Sequence, residues 1–182
     1  MTVIIIDSME TEASYFLTSL IESGISAKIE ALPAGDFLIF GRKEENALLI
    51  ERKTASDFLG SVEGKKVADG VWEKGRIWDQ LKRMSETKIK DRWLIIEGSI
   101  TQRLTAYRKK GFSVERIWGA RKGIANWGVN IIPTKDQEET LKLLKFMVQK
   151  QKKPKKEFAL RTSAPNTMTL EEKRKVSITT HH

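Results

Sequence analysis

The chain has 182 residues, and its 40% hydrophobic content is enough for one domain with a sizeable core. Cysteine is absent and the two histidines are the final residues, which excludes disulfides, thiolate metal sites and histidine catalysis. The first residues lack the basic and apolar regions of a secretion signal, and no apolar run approaches the roughly 20 residues of a membrane span. We therefore expect an intracellular protein without membrane contact, cytoplasmic and nucleoid-associated or, in a eukaryote, nuclear.

The net charge of +9 lies almost entirely at the C-terminal end. Residues 1–140 hold 22 Lys/Arg against 21 Asp/Glu, a net of +1, whereas residues 141–182 hold 11 against 3, a net of +8. We predict a folded domain over 1–150, followed over 151–182 by a basic, flexible tail or truncated linker. Such a segment is either a solvated end or an arm attracted to phosphates.

Hydrophobic periodicity predicts strands that alternate with helices. The predicted strands cover residues 3–6, 26–31, 36–40, 47–53, 92–97 and 129–132. The predicted helices cover residues 13–23, 55–62, 76–86, 114–127 and 134–150. The Gly- and Lys-rich stretch 63–75 lacks periodicity and is predicted to be a loop. Several strands are apolar on both faces, which predicts an α/β fold with helices on both sides of a central sheet.

The predicted strands at 36–40 and 47–53 form a hairpin, and the register of their pairing can be calculated. If the strands meet directly across the six-residue turn 41–46, paired residue numbers sum to 87, so Asp36 lies opposite Glu51. Their Cβ atoms are then about 5 Å apart on one face. Alternation along the strand places Lys53 on that same face and points Arg52 the other way.

Facing carboxylates repel each other unless a cation lies between them, and oxygen ligands suit Mg²⁺. A lysine beside such an ion can orient a water or neutralise charge on a phosphate. The alternative is a surface ion-pair cluster on a hairpin.

Other candidate residues also have purely structural interpretations. Asp7, Glu10 and Asp57 stand where acids stabilise a helix start. Arg76, Gln80 and Arg83 share one helix face, which could simply be solvated.

A sequence signature favours the functional interpretation. Gly35-Asp36, followed by Glu51-Arg52-Lys53 and Asp57, resembles the G-D…E-R-K-x-x-x-D signature of the XPF/Hef family of structure-specific DNA endonucleases, in its archaeal type. Residues 7–10 resemble that family's D-x-R-E, with Met9 in place of the Arg, and residues 75–83 resemble its G-R-L-F-x-Q-x-x-R helix. The similarity extends over about residues 3–152.

The resemblance implies a restriction-endonuclease-like core, a mixed sheet with helices on both faces. It also implies hydrolysis of a phosphodiester near a branch, flap or fork during DNA repair or recombination, with Mg²⁺ as the cofactor and Mn²⁺ as a substitute. Further implied partners are a second copy of the chain and a sliding clamp or helicase. The family's helix-hairpin-helix modules have no counterpart in this sequence. The alternative is a non-catalytic DNA-binding or partner subunit with the same fold.

Carried over by position, the resemblance assigns a role to each matching residue. The implied metal ligands are Asp36, Glu51 and Asp7, and the implied catalytic lysine is Lys53. The implied further members of the site are Glu10, Arg52 and Asp57. The DNA contacts are assigned to Arg76, Gln80 and Arg83, together with Lys65 and Lys66 from an apparent insertion.

The helices at 114–127 and 136–150 carry more apolar positions than one core-facing stripe needs, and relatives pair through this region. We expect a homodimer to use them, unless all of these residues are core. The positions are Ile117, Trp118, Trp127, Leu141, Phe146 and Met147.

Overall fold

The computed structural model describes residues 2–41, 46–66, 72–108 and 112–151. The strands are β1 (Val3–Asp7), β2 (Ser26–Glu30), β3 (Phe37–Phe40), β4 (Leu48–Thr54), β5 (Lys65–Lys66), β6 (Trp72–Glu73), β7 (Asp91–Glu97) and β8 (Val129–Thr134). The helices are α1 (Ala13–Glu22), α2 (Ala55–Val62), α3 (Ile77–Glu86), α4 (Ile100–Arg108), α5 (Val114–Asn126) and α6 (Gln137–Gln151). The predicted tail from residue 152 onward lies outside the described residues. None of the helices described is both long and apolar enough to cross a membrane.

Six strands form a mixed sheet in the order β2-β1-β3-β4-β7-β8. Strand β3 runs antiparallel to its neighbours β1 and β4, while β4, β7 and β8 are mutually parallel. The hairpin pairs Phe37 with Ile50 and Ile39 with Leu48, so paired numbers sum to 87. The predicted register is confirmed.

Each face of the sheet is covered by helices. Helices α1 and α6 pack on one face over Ile4, Ile6 and Ile50. Helices α2 to α5 pack on the other face over residues that include Leu49 and Leu94. Each face of the sheet therefore has its own hydrophobic core. Side chains alternate along β4, so Leu49 is buried in one core and Ile50 in the other. This architecture confirms the predicted α/β fold with helices on both faces.

Three segments differ from the sequence-based prediction. The last helix begins at Gln137, because Thr134, predicted to start it, is the final residue of β8. Part of the stretch predicted as a loop forms the short antiparallel pair β5–β6. Helix α4 was not predicted, because only Ile100, Leu104 and Tyr107 mark its inner face among polar neighbours. Two-residue strands and a weakly amphipathic helix are stabilised by tertiary packing, which local periodicity does not report.

Candidate active site

The polar ends of several strands meet at one edge of the sheet. Strands β1, β4 and β7 end there, at Asp7, Thr54 and Glu97. Strand β3 runs in the opposite direction, so its first residues, just after Asp36, lie at the same edge. A single edge thus collects acids that are far apart in the sequence.

Asp36 is held in place by two hydrogen bonds with the backbone of β4. Its N–H donates to the Ile50 carbonyl at 2.7 Å, and its Oδ2 accepts from the Arg52 N–H at 2.6 Å. The preceding Gly35 has φ +73°, and a Cβ there would lie 2.9 Å from the Ile50 carbonyl oxygen. Only glycine fits this approach, which explains the Gly-Asp pair in the sequence.

The Asp36 carboxyl is strongly perturbed. Burial, followed by the negative charges of Glu51 and Glu10, raises its pKa from 3.8 to about 8, although the Arg52 N–H and Lys53 act in the opposite direction. Its neutral form is therefore favoured at neutral pH in the protein without a cation. A divalent ion bound at this carboxylate would reverse the balance, because it stabilises the ionised form.

Glu51 is buried and lies beside two polar side chains on the same face. Its Oε1 is 3.2 Å from Lys53 Nζ and accepts a hydrogen bond of 2.5 Å from Gln80 Nε2. The other amide atom, Gln80 Oε1, is buried and has no hydrogen-bond partner among the described residues. An acceptor left open beside a carboxylate is the arrangement that a cation or a water would complete.

A cleft of about 500 Å³ opens next to Glu51 and Lys53. Its lining residues are Arg52, Lys53, Asp57, Arg76, Asp79, Gln80 and Arg83. The helix face predicted to carry the DNA contacts on α3 therefore lies in the same cleft as the predicted catalytic lysine. The charged groups available in the cleft are Lys53, Arg76 and Arg83 against Asp57 and Asp79, and this excess of cations suits the cleft to a phosphate.

Arg52 directs its guanidinium to the opposite face, as the strand alternation predicts. It pairs bidentately with Glu97, with both N–O distances at 2.9 Å, and its Nη1 lies 3.1 Å from Glu10 Oε1. The guanidinium also lies over the Phe16 ring, 5.2 Å from its centroid. Thr140 Oγ1 donates to Glu97 Oε2 at 2.8 Å. This buried network ties β4 to β7, α6 and the segment before α1.

Sequence reasoning gave Glu97 no role. The available signal was an acid at the end of a buried strand, next to the conformationally permissive Gly98 (φ +92°). Its partner became apparent only once β4 and β7 were known to be parallel neighbours, with Thr54 paired to Glu97.

The remaining acids have local structural partners. Asp7 Oδ1 accepts from the Leu32 N–H at 2.8 Å, and Glu10 Oε1 accepts from the Glu12 N–H as well as from Arg52. Asp57 is exposed and joins the Thr54 cap of α2, whose hydroxyl donates to Asp57 Oδ2 at 2.6 Å. Asp57 lines the cleft, whereas Glu10 is bound on the Arg52 side of the sheet.

The remaining predicted positions contribute no described contact. The side chains of Lys65 and Lys66 lie outside the described residues. Met9, at the position of the family Arg, is 83% exposed, so it supplies no positive group to the acids.

Across the described ranges, no three His, Cys, Asp or Glu side chains lie close enough to form a ready-made metal cluster. The donor set nevertheless fits Mg²⁺, which typically binds one or two carboxylates and completes its shell with waters and substrate phosphates. Asp36 and Glu51 supply two carboxylates, and Gln80 Oε1 is an open oxygen beside them. The structure adds no further evidence for Asp7 as a ligand.

Comparison with known proteins places this geometry in a family. The model of the ERCC4 domain matches residues 6–147, which is most of the chain. The chain belongs to the ERCC4-domain family. The ERCC4-domain match and the structural similarities that follow confirm the predicted resemblance to XPF/Hef nucleases.

Individual relatives of this ERCC4 domain are distant and longer. The chain is 28% identical over 159 residues to a putative ATP-dependent RNA helicase from Methanocaldococcus jannaschii, covering 87% of the chain but only 17% of the helicase. It superposes on XPF from Aeropyrum pernix in complex with DNA with a TM-score of 0.61 and 24% identity, covering 82% of the chain and 64% of that protein. For the same XPF without DNA, the values are 0.57 and 22%, with coverages of 81% and 63%. The chain thus spans less than two thirds of each relative.

Proposed function

We propose that this ERCC4 domain is a metal-dependent endonuclease that hydrolyses a phosphodiester near a branch, flap or fork in DNA, as DNA repair and recombination require. The observation that carries the proposal is the convergence of Asp36, Glu51 and Lys53 on one face at the end of the sheet, beside a cation-rich cleft. Two carboxylates that can hold a divalent cation, with a lysine beside them, suit metal-assisted hydrolysis of a phosphodiester.

Each side chain has a distinct part in the proposed reaction. Asp36 and Glu51 would hold Mg²⁺, or Mn²⁺ with the same oxygen ligands. The bound ion supplies Lewis acidity and lowers the pKa of a coordinated water. Lys53 provides positive charge close to where negative charge develops on the phosphate. Gln80 holds the Glu51 carboxylate by its amide hydrogen bond.

The exposed cations of α3 serve the nucleic acid and not the metal. Arg76 and Arg83 line the cleft and are open to solvent, so both can reach phosphate oxygens. Contacts to phosphates position DNA without reading its sequence, which suits an enzyme that selects shape.

The experiment compares cleavage with binding in matched variants. Glu51→Gln and Asp36→Ala should abolish Mg²⁺-dependent cleavage of a labelled flap substrate, because each removes a charged ligand. Affinity for the same DNA in a chelator should stay within a few-fold, since the phosphate contacts are intact. Glu86→Gln, an exposed acid at the far end of α3, serves as the control and should cleave normally.

Two outcomes would contradict the proposal. Cleavage by Glu51→Gln at a rate near wild type would show that the site lies elsewhere. Binding of flap DNA by the wild-type chain without cleavage in Mg²⁺ or Mn²⁺ would favour the alternative, a non-catalytic subunit with the same fold. The intact set of Asp36, Glu51 and Lys53 argues against that alternative.

We also propose that the domain forms a homodimer through the outer faces of α5 and α6. Trp118 and Phe146 are 61% and 53% exposed, and Trp127 is exposed as well. The other residues predicted for this surface are core, namely Ile117, Leu141 and Met147. Helices α5 and α6 lie on opposite faces of the sheet but both contact β8, the last strand in the sheet order, so the exposed apolar side chains flank one edge strand, which is a place where a second copy can pair.

The dimer is tested by its mass in light scattering. The wild-type chain should have twice the 20.8 kDa of the monomer, and Trp118→Ser combined with Phe146→Ser should return it to the monomer mass. A wild-type monomer at high concentration would refute the dimer. The intracellular location and a sliding clamp or helicase as partner stay predictions.

A further inference from the structure

A second and larger cleft lies at the same edge of the sheet as the candidate active site. Its volume is about 780 Å³, and it is bounded by the ends of the parallel strands β4, β7 and β8. In sheets with parallel strands, ligands bind beyond the carboxyl ends of those strands. The size is within the range of ligand pockets in proteins.

The two clefts adjoin along the first turn of α2. Thr54 and Ser56 line the second cleft, whereas Asp57 lines the active-site cleft. The Thr54 hydroxyl donates to Asp57 Oδ2 at 2.6 Å, and it also caps α2 by accepting from the Asp57 N–H. One helical turn therefore separates the proposed catalytic cleft from its neighbour, so an extended polymer crossing the edge of the sheet can occupy both.

The carboxylates in the second cleft are already engaged. Glu97 is paired with Arg52 and accepts a hydrogen bond from Thr140, so Arg52 already neutralises its negative charge. Glu139 accepts a hydrogen bond from the backbone N–H of Lys135.

The cations in the cleft are more available than its acids. The Arg103 side chain is exposed and makes no hydrogen bond or ion pair with the described residues. Lys135 is 85% exposed, with its Nζ 3.7 Å from Asp136 in an exposed and therefore weak contact. The Gln102 amide and the Ser56 hydroxyl add neutral hydrogen-bonding groups to the same wall.

We propose that this second cleft binds the DNA backbone that flanks the scissile phosphate, with Arg103 and Lys135 as its phosphate contacts. This inference rests on the proposed nuclease function. Two exposed cations beside neutral hydrogen-bonding groups fit a sugar-phosphate backbone better than a flat protein partner or a base. The second cleft would thereby fix the direction in which the substrate lies across the edge of the sheet.

The test measures binding of the full chain to a labelled flap DNA in a chelator, over a range of salt concentrations. Arg103→Gln combined with Lys135→Gln should weaken binding roughly 3- to 30-fold and flatten the slope of log affinity against log salt by about 0.9 for each phosphate that is no longer neutralised.

The matched control removes two charges at the opposite edge of the sheet. Lys88 and Lys90 precede the start of β7, both side chains are exposed, and neither lines either of the two clefts described above, so Lys88→Gln combined with Lys90→Gln is the control. A loss of affinity equal to this control would overturn the inference, because it would reflect net charge alone. A photo-crosslinking residue at Gln102 should label the DNA, whereas the same group at Lys88 should not.

The outcomes also separate the two proposals. If the wild-type chain binds and cuts the flap but the Arg103 and Lys135 variant matches the control, only the second cleft is assigned wrongly. If the wild-type chain binds no DNA, both proposals fail. Crosslinking from Gln102 to a protein in place of DNA would likewise overturn the assignment.

Discussion

Removing the Glu97 carboxylate should destabilise the domain far more than an ordinary surface substitution would. Glu97→Ala deletes the bidentate partner of Arg52, whose side chain is only 8% exposed, and also removes an acceptor from Thr140. Breaking a buried pair by removing one partner costs about 3–5 kcal/mol, because a buried charge is left uncompensated. Glu10 still lies 3.1 Å from the guanidinium, so we expect the lower end, about 3 kcal/mol.

Urea unfolding at neutral pH in the presence of a metal chelator gives the free energy of unfolding, and thermal melting gives a second measure of the same loss. A loss of about 3 kcal/mol corresponds to a drop of roughly 6–12 °C in Tm for a protein of this size. The control is Lys28→Ala, which breaks an exposed pair with Glu30 and should cost no more than about 1 kcal/mol. A Glu97→Ala protein that unfolds within about 1 kcal/mol of wild type would refute the view that this network anchors β4.

Two further predictions concern stability. Because the folded protein keeps Asp36 protonated up to about pH 8, whereas the unfolded chain releases that proton near 3.8, the metal-free protein should lose stability as the pH rises through this window. In a chelator, Asp36→Asn should therefore have a larger free energy of unfolding than wild type. This difference should grow with pH by no more than about 1.4 kcal/mol per pH unit. Urea unfolding at two pH values that gives the same difference would contradict this. Gly75→Ala should destabilise by about 1–3 kcal/mol, since its Cβ would overlap with the Ser61 carbonyl oxygen. Gly119→Ala, in open space on α5, should stabilise by about 0.5–1 kcal/mol, and equal Tm shifts for the two variants would refute the packing argument.

The central hairpin could be predicted from the sequence because its constraints are local. A short turn and a strict two-residue alternation fix which residues face one another, and this placed Asp36 opposite Glu51 with Lys53 on the same face. The Arg52 network could not be predicted in this way. Its acids come from segments about 42 and 45 residues away, and their approach depends on the order of strands in the sheet. The second cleft was missed for the same reason, since it forms where three strand ends and an unpredicted helix meet.

The side chains of Glu51 and Arg52 point to opposite faces of the sheet, and this also disfavours pairing of β4 with its neighbours in a shifted register. If β4 slipped by one residue against its neighbours, Glu51 would turn toward Glu97 and Glu10, and three carboxylates would crowd into one buried pocket. The same slip would turn the Arg52 guanidinium to the other face, away from its bidentate contact with Glu97 and its contact with Glu10. Both faces would be penalised at once, so misaligned intermediates should be short-lived even though the apolar residues of β4 could be buried on either side.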